Sequence, residues 1–209
     1  MPVSDPKAPG KRADAQRSIA SILDAAIQSL SENPETSASE IAKVAGVGRV
    51  TLYSHFPSRA DLVDAAFTRA VDEGHAALED IDLEGDPREA LARLVESSWH
   101  LVNRSRSLLV AAQNALPAGR IRELHAGPSE RVQKLLERGR REHVFRIDLP
   151  VTWLVSITHS VMHSAADEIN AGRLDADRAS GYITATLLAA FTPPGTITPT
   201  PGRRPSTTA

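Results

Sequence analysis

Proline decides where helices can begin and end in this chain, because it lacks a backbone N–H and its ring collides with the preceding helical turn. Eight of its 14 prolines stand near the ends: Pro2, Pro6, Pro9, Pro193, Pro194, Pro199, Pro201 and Pro205. Pro34, Pro57, Pro87, Pro117, Pro128 and Pro150 remain inside, and each is a natural helix boundary. The intervals between them are rich in Ala, Leu, Arg and Glu and hold no run of alternating β-branched residues. They predict an all-α protein. The proline-bearing ends read as an extended N-terminal arm over 1–11 and a C-terminal tail over 192–209.

The apolar period agrees. Between Arg12 and Leu30, the residues Ile19, Ile22, Leu23, Ala26, Ile27 and Leu30 recur at three and four, one face of an amphipathic helix. Further helices are expected over 38–45, 49–55, 58–79, 88–103, 105–115, 129–143, 151–171 and 175–191. Ser37 with Glu40, and Ser58 with Asp61, have the spacing of N-terminal caps. The absence of cysteine excludes disulfides, thiolate metal sites and a thiol nucleophile. No apolar run nears the roughly 18 residues of a membrane span, and the start, with its Lys and Asp, does not read as a signal peptide. A cytoplasmic protein without a membrane partner is expected. The excess of 20 Arg over 4 Lys reads as codon bias.

Chemistry concentrates between Ser37 and Phe56. A helix capped by Ser37 should turn Ile41, Ala42 and Val44 inward and end at Gly46, where glycine tolerates a left-handed turn. Val47 then plugs the turn, and a second short helix starts at Gly48 or Arg49. Its Leu52 and Phe56 face the core, leaving Arg49, Val50, Thr51, Tyr53, Ser54 and His55 outward. This is the build of a helix-turn-helix, whose second helix can lie in the major groove. Arg can bond guanine O6 and N7, and Val or the Thr methyl can pack on a thymine methyl. Tyr, His, Ser and Thr can donate to phosphates.

The pattern Ile41-Ala42-x-x-Ala45-Gly46-Val47, then Thr51-Leu52-Tyr53-x-His55-Phe56 and Ser58-Arg59-x-x-Leu62, resembles the tetracycline-repressor (TetR) family of bacterial regulators. The first helix, with Arg17, Ile22, Leu23, Ala25 and Ala26, fits that family too, so the resemblance covers about residues 12–66. It implies a three-helix DNA-binding domain over 12–66 and a larger helical domain over 67–191 that binds an effector and dimerises. Carried over by position, it places Arg49, Val50 and Thr51 at base edges or adjacent phosphates. Tyr53, Ser54 and His55 fall along the DNA backbone. Arg59 stands where the family usually has a phosphate-contacting lysine, and Ser39 and Arg17 are further contact candidates. Gly48 and Val50 depart from the residues common there, which leaves the operator sequence open.

The C-terminal half gives its own argument for a homodimer. Segment 151–171 carries one stripe of Val151, Leu154, Val155, Thr158, Met162, Ala165 and Ile169, and a second of Trp153, Ile157, Ser160, Val161 and Ser164. A helix apolar nearly all round must be covered on both sides. With Ile183, Leu187 and Ala190 of the last helix, the residues Val155, Thr158, Met162, Ala165 and Ile169 are the expected dimer seam in a bundle of four helices. Polar or aromatic residues that interrupt apolar segments, namely Trp99, Asn103, Arg104, Gln113, His125, Trp153 and His159, are the candidate ligand contacts. His159, His163 and Asp167 share a face with ligand-like spacing, but His-x-x-x-His is common by chance. No metal or other cofactor is assigned.

The leading reading is therefore a ligand-responsive regulator, a repressor released from a palindromic operator by a small molecule, at the nucleoid when bound. The rival is a small helical enzyme or carrier with an incidental helix-turn-helix. It lacks a catalytic constellation: there is no phosphate loop, nucleophile elbow or His-Glu-x-x-His. The net charge of -2 argues against nucleic acid only until it is divided. Residues 1–60 carry seven basic and six acidic side chains, while the remainder carries 17 and 20. Lys7, Lys11 and Arg12 give the arm a role along the phosphates.

Overall fold

Capping chemistry starts the helices that matter most for the site. The computed structural model describes residues 9–195, with side chains from residue 13 onward. Lys7, the side chains of Lys11 and Arg12, and the tail beyond 195 lie outside the described residues. The described helices are α1 (Pro9–Glu32), α2 (Ala38–Val44), α3 (Arg49–His55), α4 (Arg59–Leu78), α5 (Pro87–Arg104), α6 (Arg106–Ala115), α7 (Ala118–Leu124), α8 (Ala126–Arg141), α9 (Val151–Asn170) and α10 (Ala179–Phe191). A 3-10 turn, Ala176–Arg178, precedes α10, and no strand occurs among the described residues.

All six interior prolines mark boundaries. Pro117 and Pro150 are the N-caps of α7 and α9, Pro87 opens α5, and Pro128 sits in the first turn of α8. Both expected caps form as reciprocal boxes. Glu40 N–H donates to Ser37 Oγ at 3.3 Å while the Glu40 carboxylate accepts from Ser37 N at 2.9 Å. Asp61 repeats this with Ser58 at 3.1 and 3.0 Å. Each box satisfies donors that the first helical turn leaves without partners.

The helices gather into two compact units. One runs to Asp80 and takes in His100–Pro128; the other comprises Ile81–Trp99 and the chain from Ser129. In the first, Ile22, Ala26 and Leu30 of α1 meet Ile41 of α2, Leu52 of α3, and Leu62, Ala66 and Phe67 of α4 in one buried cluster. Leu108, Leu109, Ala111 and Ala112 of α6 belong to the same cluster. The boundary expected at 66 and 67 therefore falls inside α4, and the compact unit is larger than the three-helix head. The short α7 was not expected at all, α8 starts at Ala126 rather than 129, and the last helix is divided from the 3-10 turn before it.

In the second unit, Phe145 meets Phe191 edge-on at 6.1 Å. Gly139 is required there, because a Cβ would enter the Phe145 ring. α9 packs on α10. Leu154, Val155, Thr158, Met162 and Ala165 of α9 are buried within the single chain, as are Ile183 and Leu187 of α10. Val155, Thr158, Met162, Ala165, Ile183 and Leu187 thus help to close the chain's own core; Ile169 and Ala190 are half-buried. The outward face is the second stripe. It exposes Trp153, Ser156, Ser160 and Ser164 on α9, and Tyr182, Ala185, Thr186 and Ala189 on α10.

Arginine also has a structural use that codon bias does not describe. Four guanidinium groups each bridge two carbonyls two residues apart. Arg93 reaches Asp82 O and Glu84 O at 2.9 and 2.6 Å, and Arg138 reaches Leu83 O and Gly85 O. Arg140 takes Ile147 O and Leu149 O, both at 3.0 Å, and Arg59 takes Pro34 O and Thr36 O. With Arg131 on Ile81 O at 2.7 Å, every carbonyl from 81 to 85 accepts from a guanidinium.

Candidate nucleic-acid interface

The turn between α2 and α3 is built by backbone hydrogen bonds. Gly46, at φ +70°, lets Val47 N–H reach Ala42 O at 3.0 Å and Gly46 N–H reach Lys43 O at 3.2 Å. This Schellman arrangement satisfies the last carbonyls of α2 and aims the chain at α3. Gly48 is the N-cap of α3 with extended backbone and no side-chain bond. Val47 packs against the core cluster beneath.

Burial then sorts α3. Leu52 is fully buried and Phe56 nearly so, which fixes the helix by one side. Arg49, Val50, Tyr53 and Ser54 are exposed, and Thr51 and His55 are half-buried. Val50 is 85% exposed, an isolated apolar side chain with no partner in its own fold. Ser54 Oγ donates to Thr51 O at 2.7 Å, leaving its lone pairs as acceptors. Val44, expected to face inward, is 57% exposed. It is the last residue of α2, and the seven-residue helix ends before that position rotates back over the core.

The outlying contact candidates differ. Arg17 is exposed on α1 and paired with Asp14 one turn earlier. Ser39 is half-buried in the first turn of α2. Arg59 is not extended into solvent: its Nη2 donates to Pro34 O at 2.6 Å, and both Nη2 and Nε approach Thr36 O at 3.4 Å. In the same unit, Arg120 of α7 holds Asp64 of α4 through two bonds of 2.7 and 3.0 Å. The guanidinium of Arg120 is shifted upward in pKa, chiefly by that carboxylate. Sequence reasoning missed this pair because it missed α7.

The seven ligand candidates are divided between the two units: Trp99, Trp153 and His159 belong to the second, and Asn103, Arg104, Gln113 and His125 to the first. Gln113 borders a shallow cavity of about 210 Å³ with Leu116, Ala118 and Ile121, none of them among the other candidates. Trp99 is fully buried, whereas Arg104 is exposed and Trp153 is 55% exposed. Asn103 keeps a buried Oδ1 without a hydrogen-bond partner. His125 stacks obliquely on Phe67 at 5.6 Å, and His159 is half-buried on α9. Among the described residues no group of three His, Cys, Asp or Glu is placed to hold a metal ion, and no helix is long and apolar enough to cross a membrane.

Comparison with known proteins adds to this geometry. Residues 22–66 match the sequence profile of the bacterial regulatory proteins of the tetR family. The HTH-type transcriptional repressor LfrR of Mycolicibacterium smegmatis is 39% identical over 87 residues, 41% of this chain and 46% of that protein. The match thus spans about half the length of that relative. The crystal structure of the TetR-like regulator LfrR from Mycobacterium smegmatis, in complex with proflavine, is similar over 90% of this chain and 99% of its own, with a TM-score of 0.67 and 26% identity. Residues 22–66 thus carry the sequence pattern of the tetR family, and the fold over most of the chain is similar to that of a TetR-like regulator. A further structural neighbour, the transcriptional regulator FadR from Bacillus subtilis in complex with stearoyl-CoA, shares the fold at a TM-score of 0.69. It covers 82% of this chain and 98% of its own at 21% identity. The LfrR repressor and the TetR-like crystal structure to which the chain is similar are transcription regulators, so the rival enzyme reading has no support from them.

Proposed function

We propose that the chain is a homodimeric repressor that leaves a palindromic double-stranded DNA operator when a small molecule binds. The observation that carries this is the outward face of α3. Leu52 and Phe56 anchor it from beneath, while Arg49, Val50 and Tyr53 stand free on a helix aimed by the Gly46 turn. An isolated Val50 exposed at 85% gains little in water, but its methyl groups suit a thymine methyl in the major groove. Arg49 beside it supplies guanine recognition, and Tyr53, Ser54 and His55 supply phosphate contacts.

Two copies joined through α9 and α10 would set two α3 helices in successive major grooves, about 34 Å apart or a modest multiple of that. The regulatory part, residues 67–191, holds the effector. Proflavine in the LfrR crystal and stearoyl-CoA in the FadR crystal support a small organic effector here as well. Coupling needs the effector to favour a form that does not bind DNA, transmitted along α4, whose first turns Arg120 grips through Asp64. The protein then works in the cytoplasm, on the nucleoid while bound.

The test is selection of a duplex from a random pool, followed by footprinting on the DNA flanking the gene. Arg49→Ala should cost about 1–3 kcal/mol on the selected site and relax preference at one base position per half-site. Failure of the wild type to enrich any palindrome at low salt would sink the proposal.

A further inference from the structure

The family habit assigns the residue at the start of α4 to a DNA phosphate, and the geometry points elsewhere. We infer that Arg59 is a positioning residue: its guanidinium clasps the two ends of the helix-turn-helix together and does not bind phosphate. The inference rests on the DNA-binding reading for its functional consequence, though not for the clasp itself.

The segment from Pro34 to Arg59 contains both helices of the motif. Pro34, Glu35 and Thr36 lead into α2 through the Ser37 cap, and Ser58, the cap of α4, immediately precedes Arg59. The short bond from Arg59 Nη2 to Pro34 O, with the longer approaches to Thr36 O, joins entry to exit. The entry is itself a tight turn: Thr36 N–H and Thr36 Oγ1 both donate to Asn33 O, at 3.1 and 2.8 Å, and Glu35 N–H donates to Asn33 Oδ1 at 3.0 Å. Closing a segment at both ends removes the fraying that would let α2 and α3 rotate as a pair over the core.

Two features favour the clasp over a phosphate contact. Arg59 is part-buried, and the donors named above are directed at backbone carbonyls within the protein. A cation in the first turn of a helix also opposes the helix dipole, so the position gains nothing by charge alone. A planar fork can span Pro34 O and Thr36 O, whereas the single ammonium of lysine cannot hold both in the same geometry.

This separates the two roles experimentally. Arg59→Ala and Arg59→Lys would be measured by fluorescence anisotropy on a duplex selected by the wild-type protein, across a salt series. A clasp predicts that both variants bind about tenfold more weakly, the equivalent of one charge-assisted hydrogen bond, with the wild-type salt slope kept. A phosphate contact predicts that Arg59→Lys binds like the wild type and that Arg59→Ala lowers the slope by about 0.9. That result overturns the inference, as do two variants that both match the wild type. Hydrogen exchange at the Glu35 and Thr36 amides reads the clasp without DNA. Faster exchange in both variants supports it even if no duplex binds the wild type, and unchanged exchange refutes it.

Discussion

A lysine at position 138 would carry the same charge as the arginine found there and would still undo what that arginine does. Arg138 bridges Leu83 O and Gly85 O, alternating with Arg93 on Asp82 O and Glu84 O. The loop is acidic at Asp80, Asp82, Glu84 and Asp86, and Glu84 comes within 3.9 Å of Arg138, yet the close hydrogen bonds of Arg93, Arg131 and Arg138 to this loop go to its carbonyl oxygens. Lysine offers one strongly hydrated point donor in place of a planar fork, so it can serve one carbonyl and leaves the other short of a partner. Arg138 is only 22% exposed, which makes an unmet carbonyl there costly. Arg138→Lys should therefore destabilise the protein by about 1–2 kcal/mol in urea melts and speed amide exchange over residues 81–86. A variant as stable as the wild type would mean that the fork geometry contributes nothing. Such a role is invisible in a sequence, because the partners are backbone atoms that any residue supplies.

The same distinction governs the elements. Features set by local chemistry could be read directly: the six proline boundaries, the boxes at Ser37 and Ser58, the left-handed Gly46, and the burial of Leu52 and Phe56. Features set by long-range packing could not. α7 has seven residues and only Ile121 and Leu124 to show as a period, too few to distinguish it from a loop. α9 displays two stripes of similar apolarity, and only the packing of α10 decides that Met162 turns in while Trp153 turns out. The capping box of α2 yields a further test at this scale. Ser37, through its hydroxyl and then its N–H, holds the Glu40 carboxyl below its ordinary 4.5. A carboxyl depressed by folding stabilises the fold above its unfolded pKa, and that stabilisation fades as pH falls through the folded value. Glu40→Gln keeps the shape and removes the charge. Its melting temperature should lie below that of the wild type at pH 7, and the gap should close as the pH falls through the folded value. A gap independent of pH would assign the effect to shape.

At the scale of the whole molecule, the proposed homodimer needs two recognition helices to act at once. The charge distribution gives little help: residues 1–60 have one more basic than acidic side chain, so the head lacks the strong field that holds many nucleic-acid binders to any duplex. In the proposed homodimer, specific affinity comes from two heads binding together, and the second head gains from an effective concentration that linkage provides. The face available for that linkage is the outward side of α9 and α10. It pairs the large Trp153 and Tyr182 with small Ala185, Ala189 and Gly181, a relief of ridges and hollows suited to close helix packing about a twofold axis. Buried Leu187 and Ile183 hold these helices from the other side, so charge placed on the outer face should spare the fold. Trp153→Glu combined with Ala185→Glu should convert a dimer into a monomer in sedimentation velocity, with the helical circular dichroism unchanged. Loss of linkage should weaken operator binding on the order of 100-fold. A doubly substituted protein that still sediments as a dimer would move the seam to another face, and a folded monomer that binds its operator undiminished would show that one head suffices.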